Sequence, residues 1–413
     1  MRICLVSQEY PPETARGGIG TQTWIKAEAL ARLGHTVHVL SSTSSPGPEL
    51  STQTEGAITV HRMQPPGGDF PVYKTPTYWL GYSWSVLRQL HALMQTTTLD
   101  VIDFAEYGAE GFAYQLDRTP WNWVPVVVQL HGSLAMFVEH IGWPERGSDF
   151  HRIGTLMEEV SIKGADVLMA CSAAIADFTA ATYGVPRQEI DVVHCGVDAE
   201  AFRPPARERT GGRPTVLFVG NIAANKGVIT VFEAVLRIRS QFPDVLLQIV
   251  GGGEGDLLGQ LQARTQAEGA EVSVEFHGFI DRAHLPTFFQ GADVFCAPSQ
   301  YEAFGIVYIE AMACGCPVVA SPTGGTPEAV TDGQTGLLVP PDDVAAVARA
   351  LERLLGDAPL RRRLGDAGRK RVLDYFAMDR YVLRVLAAYQ KAIDCSRLTL
   401  DRVQRQCEEP GNE

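Results

Sequence analysis

A chain of 413 residues, 45% hydrophobic and 20% charged, is longer than one core usually supports, so two domains are expected. Its net charge of −13, with an isoelectric point near 5.3, argues against nucleic acid or an anionic lipid surface as a main partner. No apolar run approaches the roughly 18 residues of a membrane span, and Ile3–Val6 is too short for the apolar part of a signal segment.

The eight cysteines contain no C-x-x-C pair, and Cys4, Cys171 and Cys296 fall in apolar runs where a thiol acts as a small hydrophobe. Cys314-Gly-Cys316 lacks neighbours to complete a metal site, so no metal is expected. Reduced thiols and a cytoplasmic setting follow. The basic residues Arg361–Arg363 and Arg369–Arg371 read as a solvated helix face, leaving membrane contact at most peripheral.

In chain order, residues 2–8 read as a strand, 21–33 as an amphipathic helix and 35–41 as the second strand. Residues 42–56, rich in Ser, Thr and Pro, read as loop; 58–63 is a strand, 67–78 irregular and 79–94 helical. Strand runs return at 101–105, 124–130, 167–171 and 190–194. Short β-rich runs separated by helical patterns predict a parallel sheet covered on both faces.

Arg16-Gly17-Gly18-Ile19-Gly20 follows the first strand, where glycine lets backbone approach a phosphate. It is not the dinucleotide pattern: Gly18 and Gly20 are followed by Thr23, and no acid closes the second strand. His131-Gly132 follows the apolar run 126–130, a position open to a structural or a functional histidine. Asp103, Glu106 and Tyr107 at another strand end either line an acceptor site or are ordinary loop residues.

Residues 203–214 have no apolar period and read as a linker. Strands then recur at 215–219, 246–250, 272–276, 293–297, 318–321 and 336–339. Residues 342–355, 361–375 and 380–393 are helical, and the tail from Ser396 is polar and expected to fray. The domains are thus 1–203 and 215–378, with a final helix and tail at 379–413.

The most informative stretch is Ala297–Ala320, A-P-S-Q-Y-E-A-F-G-I-V-Y-I-E-A-M-A-C-G-C-P-V-V-A. It reads as a strand end, a tight loop and a helix from about Phe304, stopped by Gly315 and Pro317. Glu302 and Glu310, eight positions apart, would lie roughly 12 Å from one another if the path were helical. That is too far for both to act on one bond. It suits a ligand with two hydroxylated ends and an anion between, met by the amides of Ala303, Phe304 and Gly305. A nucleotide-sugar has that layout. The plain alternative is an acid near a helix start plus one polar helix position.

The string P-S-x-x-E-x-F-G-x-x-x-x-E-A-M-A-x-G-x-P-V-V-A resembles the donor-site signature of the retaining glycosyltransferase family four, group 1. The resemblance implies an α/β fold of the GT-B type: two Rossmann-like domains facing across a cleft, with a C-terminal helix crossing back to the first. It implies transfer of a sugar from a nucleoside diphosphate sugar to a hydroxyl on a glycan, lipid-linked glycan or small molecule. Retention would proceed without a covalent intermediate, a cofactor or an obligatory metal, and the missing Asp-x-Asp triplet agrees with the last. Glu302 would contact the sugar, Glu310 the ribose, His131 the transferred sugar and Lys226 the diphosphate. Gly17, Gly18, Asn221, Phe304, Gly305 and Ile306 complete the expected donor contacts. Asn221 departs from the family's Gly-Arg-Leu, which here is Gly220-Asn221-Ile222, so one customary cation is missing.

Further matches are Gly324-Gly325 with Pro327-Glu328, and Gly196-Val197-Asp198; Gly251–Gly255 reads as a turn beside the nucleotide, with His277 near the base. Two other readings stand beside this one. A catalytically silent nucleotide-sugar binding module would be stabilised by donors without turnover, and an epimerase on the same fold would convert donor with no acceptor.

Overall fold

The computed structural model describes residues 1–413 apart from 15–16, 46, 67–74, 207–210, 254 and 409–413; of 398–408 the backbone alone is described. The chain forms two compact units, Met1–Gly196 with Tyr381–Glu413, and Val197–Arg380. The division falls after Gly196, so the segment read as a linker belongs to the second unit.

The first unit is built on an eight-stranded sheet: β1 (Arg2–Val6), β2 (Thr36–Ser42), β3 (Leu50–Glu55), β4 (Ile58–Met63), β5 (Val101–Ala105), β6 (Val126–Leu130), β7 (Val167–Ala170) and β8 (Ile190–Val192). Its spatial order is β3-β4-β2-β1-β5-β6-β7-β8, parallel except for β3 against β4. β1 pairs with β2 (Ile3↔Val37) and with β5 (Ile3↔Val101). β5 and β6 are buried along their whole length, Asp103 and Gln129 included, as expected of mostly apolar strands covered on both faces. β3 was read as loop, and it forms instead a strand exposed at all six positions. It carries no buried-face alternation to betray it, and pairing with β4 alone fixes it.

The second unit holds β9 (Thr215–Val219), β10 (Leu246–Val250), β11 (Val274–Gly278), β12 (Val294–Ala297), β13 (Val318–Ala320) and β14 (Gly336–Leu338). All pairings are parallel in the order β11-β10-β9-β12-β13-β14. With β3 and β8 set aside, both sheets share one doubly wound order. Chain direction across the sheet reverses between β1 and β5, and between β9 and β12. Those are the points where the strand-end loops part and leave room for a ligand.

The helices follow their polarity pattern. Val344–Gly356 buries Ala346, Val347, Ala350, Leu351 and Leu354, and Asp343 caps it by accepting from the Ala346 amide at 2.8 Å. Burying Val347, Leu351 and Leu354 contributes about 1.5–3 kcal/mol each. The final helix runs Met378–Glu408, well past the point at which fraying was expected. From Tyr381 it belongs to the first unit. Tyr381, Val385, Ala388, Tyr389 and Ala392 form its buried stripe, and the Tyr389 hydroxyl donates to Asp103 in β5.

The basic run is a solvated face only in part: Arg362, Arg363 and Lys370 are exposed, whereas Arg369 and Arg371 turn onto the protein. Arg369 donates to the carbonyls of Ala199, Phe202 and Ala313, each at 2.9 Å, and Arg371 to those of Glu328 and Ala329. Guanidinium groups there close carbonyls that helix and loop ends leave open. Among the described residues no helix is long and apolar enough to cross a membrane.

Candidate active site

In the second unit the site begins at the β9/β12 reversal. After β9, a short turn at Ala224–Lys226 leads to Gly227, whose φ of 77° starts helix Val228–Ile238. A Cβ on Gly227 would lie 2.5 Å from the Pro298 carbonyl, so only glycine lets the two loops approach this closely. The Gln300 amide donates to the Asn225 carbonyl at 2.8 Å and ties them together. This brings Lys226 Nζ to 2.9 Å from Glu302 Oε2, both side chains partly exposed. Two residues 76 positions apart are thus joined by the strand order.

Glu302 is held from behind: its carbonyl accepts from the Gly325 amide at 2.9 Å, and Ser299 Oγ reaches its carboxylate at 3.5 Å. The Gly324-Gly325 loop therefore serves to seat Glu302. The following helix is Ile306–Ala313, two residues later than expected. Gly305 has φ 88° and ψ 69°, a left-handed conformation that cannot sit inside a helix. The first-turn amides consequently begin at Ile306, and Ala303 to Gly305 are loop. Only the last four of the eight steps from Glu302 to Glu310 are helical, so the 12 Å helical path does not apply. Phe304 is buried edge-on against Phe376, 5.5 Å between ring centres, which gives its side chain a packing role. Gly315, at φ 74°, ends the helix as read from the sequence.

Glu310 faces inward and pairs with Arg282, from the turn Arg282–His284 after β11. Burial pushes the Glu310 carboxyl up, and the Arg282 guanidinium opposes that shift. Arg282 also stacks over Phe202, 4.8 Å from the ring centre. This cation was not singled out in the sequence, because nothing local distinguishes an Arg in a turn. Asn221 is exposed at the mouth of the β9 loop. His277 packs edge-on against Phe288 at 4.9 Å, beside the helix Leu285–Gly291. A concavity of about 420 Å³ lined by Arg213, Thr215, Leu246, Gln248, Thr287, Phe288 and Gly291 includes none of the candidate residues.

In the first unit, Gly17 caps helix Gly18–Arg32, and its amide donates to Glu9 Oε2 at 3.0 Å. The amide expected to meet a phosphate is thus occupied by a carboxylate of its own loop; Arg16 lies outside the described residues. His131 ends β6 with its amide bound to Glu106. Burial, and then the charge of Lys26, push its imidazole down to about 3, so the ring is neutral and fit to give or accept one hydrogen bond. Asp103, weighed as an acceptor-side residue, is instead buried in an ion pair with Lys26 at 2.6 Å. Glu106 and Tyr107 are likewise buried, Tyr107 edge-on to Trp79 and Phe137. Among the described residues no group of His, Cys, Asp and Glu is placed to hold a metal.

Residues 16–201 match the family described as Glycosyltransferase Family 4, and residues 201–371 match Glycosyl transferases group 1. Over 388 residues the chain is 32% identical to a glycogen synthase of Mycobacterium tuberculosis (strain ATCC 25618 / H37Rv), covering 91% of each. This chain belongs to the group 1, family 4 glycosyltransferases. The glycosyltransferase is also 31% identical over 406 residues to a D-inositol 3-phosphate glycosyltransferase of Arthrobacter sp. (strain FB24), covering 94% of this chain and 93% of the relative. A sucrose-phosphate synthase structure from Thermosynechococcus elongatus superposes with a TM-score of 0.80 at 25% identity, covering 94% of this chain and 98% of that one. The glycosyltransferase thus has the GT-B pair of Rossmann-like domains.

Proposed function

We propose that this glycosyltransferase moves a sugar, with retention, from a nucleoside diphosphate sugar to an acceptor hydroxyl, and that its second unit holds the donor. The observation that carries the reading is the Lys226–Glu302 pair at the β9/β12 reversal. A cation and a hydroxyl-accepting carboxylate stand side by side there, beside the amides of a helix start. In this reading Lys226 neutralises the diphosphate, whose charge grows as the bond to the anomeric carbon breaks. Glu302 orients the sugar hydroxyls. The acceptor oxygen bonds to the anomeric carbon from the face the diphosphate leaves, and its proton passes to the departing phosphate oxygen.

His131 in the first unit contributes a neutral hydrogen bond to the sugar in the same reading. No cofactor enters it, and Lys226 supplies the positive charge that a divalent cation supplies in other transferases. Relatives named for glycogen and for D-inositol 3-phosphate support both polymeric and small hydroxylated acceptors. The test is incubation with nucleoside diphosphate sugars and an acceptor panel spanning both kinds, with product anomeric configuration read by NMR. Inverted product, donor conversion without acceptor, or turnover abolished by EDTA and restored by Mg²⁺ or Mn²⁺ would each overturn its part.

A further inference from the structure

The three-residue loop that presents His131, between β6 and the helix Leu134–His140, is tied down by two buried acids from other elements. Glu106, just after β5, accepts on its Oε1 from the amides of both His131, at 2.6 Å, and Gly132. Glu158, in helix Asp149–Lys163, accepts from the Leu134 amide with both oxygens, at 2.9 and 3.0 Å. Tyr183 donates its hydroxyl to the same carboxylate at 2.9 Å. Both glutamates are buried, and Glu106 Oε2 is without a hydrogen-bond partner.

A carboxylate in such a place is costly, because desolvation is offset here by amide bonds and not by a cation. A neutral amide side chain or a water would satisfy the same backbone groups at lower cost. What an acid adds in its ionised form is strength: charge-assisted bonds are shorter and about twice as strong as neutral ones, and the two amides work against the burial that pushes the Glu106 carboxyl up to about 7. Two of them converging on consecutive amides fix the rotation of that peptide, and hence the direction in which the His131 side chain leaves the backbone. Gly132, at φ 137°, lets the chain turn away from the two bound amides toward the helix that begins at Leu134.

We propose that Glu106 is a positioning residue for the transfer reaction, acting through His131, with Glu158 bracing the other end of the loop. The inference rests on the reading of His131 as a sugar-contacting group. Glu106 does not touch substrate; it sets the ring in register for the transition state, so its loss is felt in turnover more than in donor binding.

The test is a double-mutant cycle on the full chain, using Glu106→Gln and His131→Ala singly and together. Turnover is read with the best donor and acceptor, donor affinity by titration with the nucleoside diphosphate, and folding by thermal melting. Glu106→Gln is expected to lower kcat at least tenfold, with nucleoside diphosphate affinity within twofold of the parent. In the His131→Ala background the same change is expected to lower kcat less than twofold further. Parental kcat in Glu106→Gln, or an equal further drop in the His131→Ala background, overturns the proposal. Should Glu106→Gln not fold, Glu106→Asp, which keeps the charge but shortens the reach, is read by the same criteria. If His131→Ala alone has parental turnover, the reading of His131 fails instead, and the positioning role with it.

Discussion

Lys226 Nζ and Glu302 Oε2 stand 2.9 Å apart at the carboxyl ends of β9 and β12. The carboxylate thus occupies the cation that the proposed donor diphosphate needs. In the proposed function, donor binding would exchange one anion for another at Lys226, which would limit how tightly the product diphosphate is held.

Glu302→Gln should therefore act in opposite directions on binding and on chemistry. With the competing charge removed, nucleoside diphosphate affinity is expected to rise several-fold, while kcat falls for want of the carboxylate. Lys226→Ala should lower kcat about 10²-fold, on the order of 3 kcal/mol. Calorimetric titration and steady-state kinetics check both, and a Lys226→Ala enzyme at parental rates would remove the diphosphate from this loop.

Asn221 offers a neutral hydrogen bond where the resemblance to the family implies a cation. Asn221→Ala should cost under tenfold in kcat, since a neutral bond is about half as strong as a charge-assisted one. Asn221→Arg should leave folding intact, because the position is exposed, and tighten nucleoside diphosphate binding. Unchanged binding in Asn221→Arg would show that the side chain points away from the ligand.

Arg282 compensates a carboxylate that burial alone would discharge. Arg282→Ala should destabilise the protein by about 3–5 kcal/mol, the usual cost of leaving a buried charge unpaired. Arg282→Met combined with Glu310→Leu should recover most of that loss in urea unfolding while abolishing donor binding. Donor binding undiminished in the double variant would mean that Glu310 is structural alone.

Glu110 accepts from the Gln8 amide at 2.8 Å, and burial, then the charges of Glu9 and Glu106, push its carboxyl from 4.5 up to about 8. A carboxyl raised in the folded state binds more protons there than when unfolded. Its stabilising share is complete below about pH 4.5 and is lost as pH rises toward 8, a swing on the order of 5 kcal/mol. The melting temperature should therefore fall between pH 5 and pH 8.5, and Glu110→Gln should flatten that slope. An unchanged slope in the variant would assign the pH dependence to other groups.

The doubly wound character of both units was legible in the sequence because strands buried on both faces must be mostly apolar, as at Val126–Leu130 and Leu246–Val250, where one glutamine each interrupts the run. The stretch around Glu302 and Glu310 was legible too, since glycine, proline and acid at fixed offsets have local causes. Asn221 and Lys226 could be placed on a strand-end loop for the same reason. β3 was not legible, because an exposed edge strand has no buried face to leave a pattern.

What only the tertiary structure decided is which strand-end loops become neighbours, and so which charges meet. Sequence places Lys226 and Glu302 on separate loops; the order β10-β9-β12 makes them an ion pair. Glu310 was legible as an acid on a helix, but its partner Arg282 comes from a turn after β11 and carries no local mark. Likewise, Glu106 read as a strand-end acid, on an acceptor site or in an ordinary loop, until the pairing of β5 with β6 set it under the His131 amide. The physical reason is range: caps, turns and apolar periods act within a few residues, whereas charge pairing and burial depend on distance in space, which the sheet order sets.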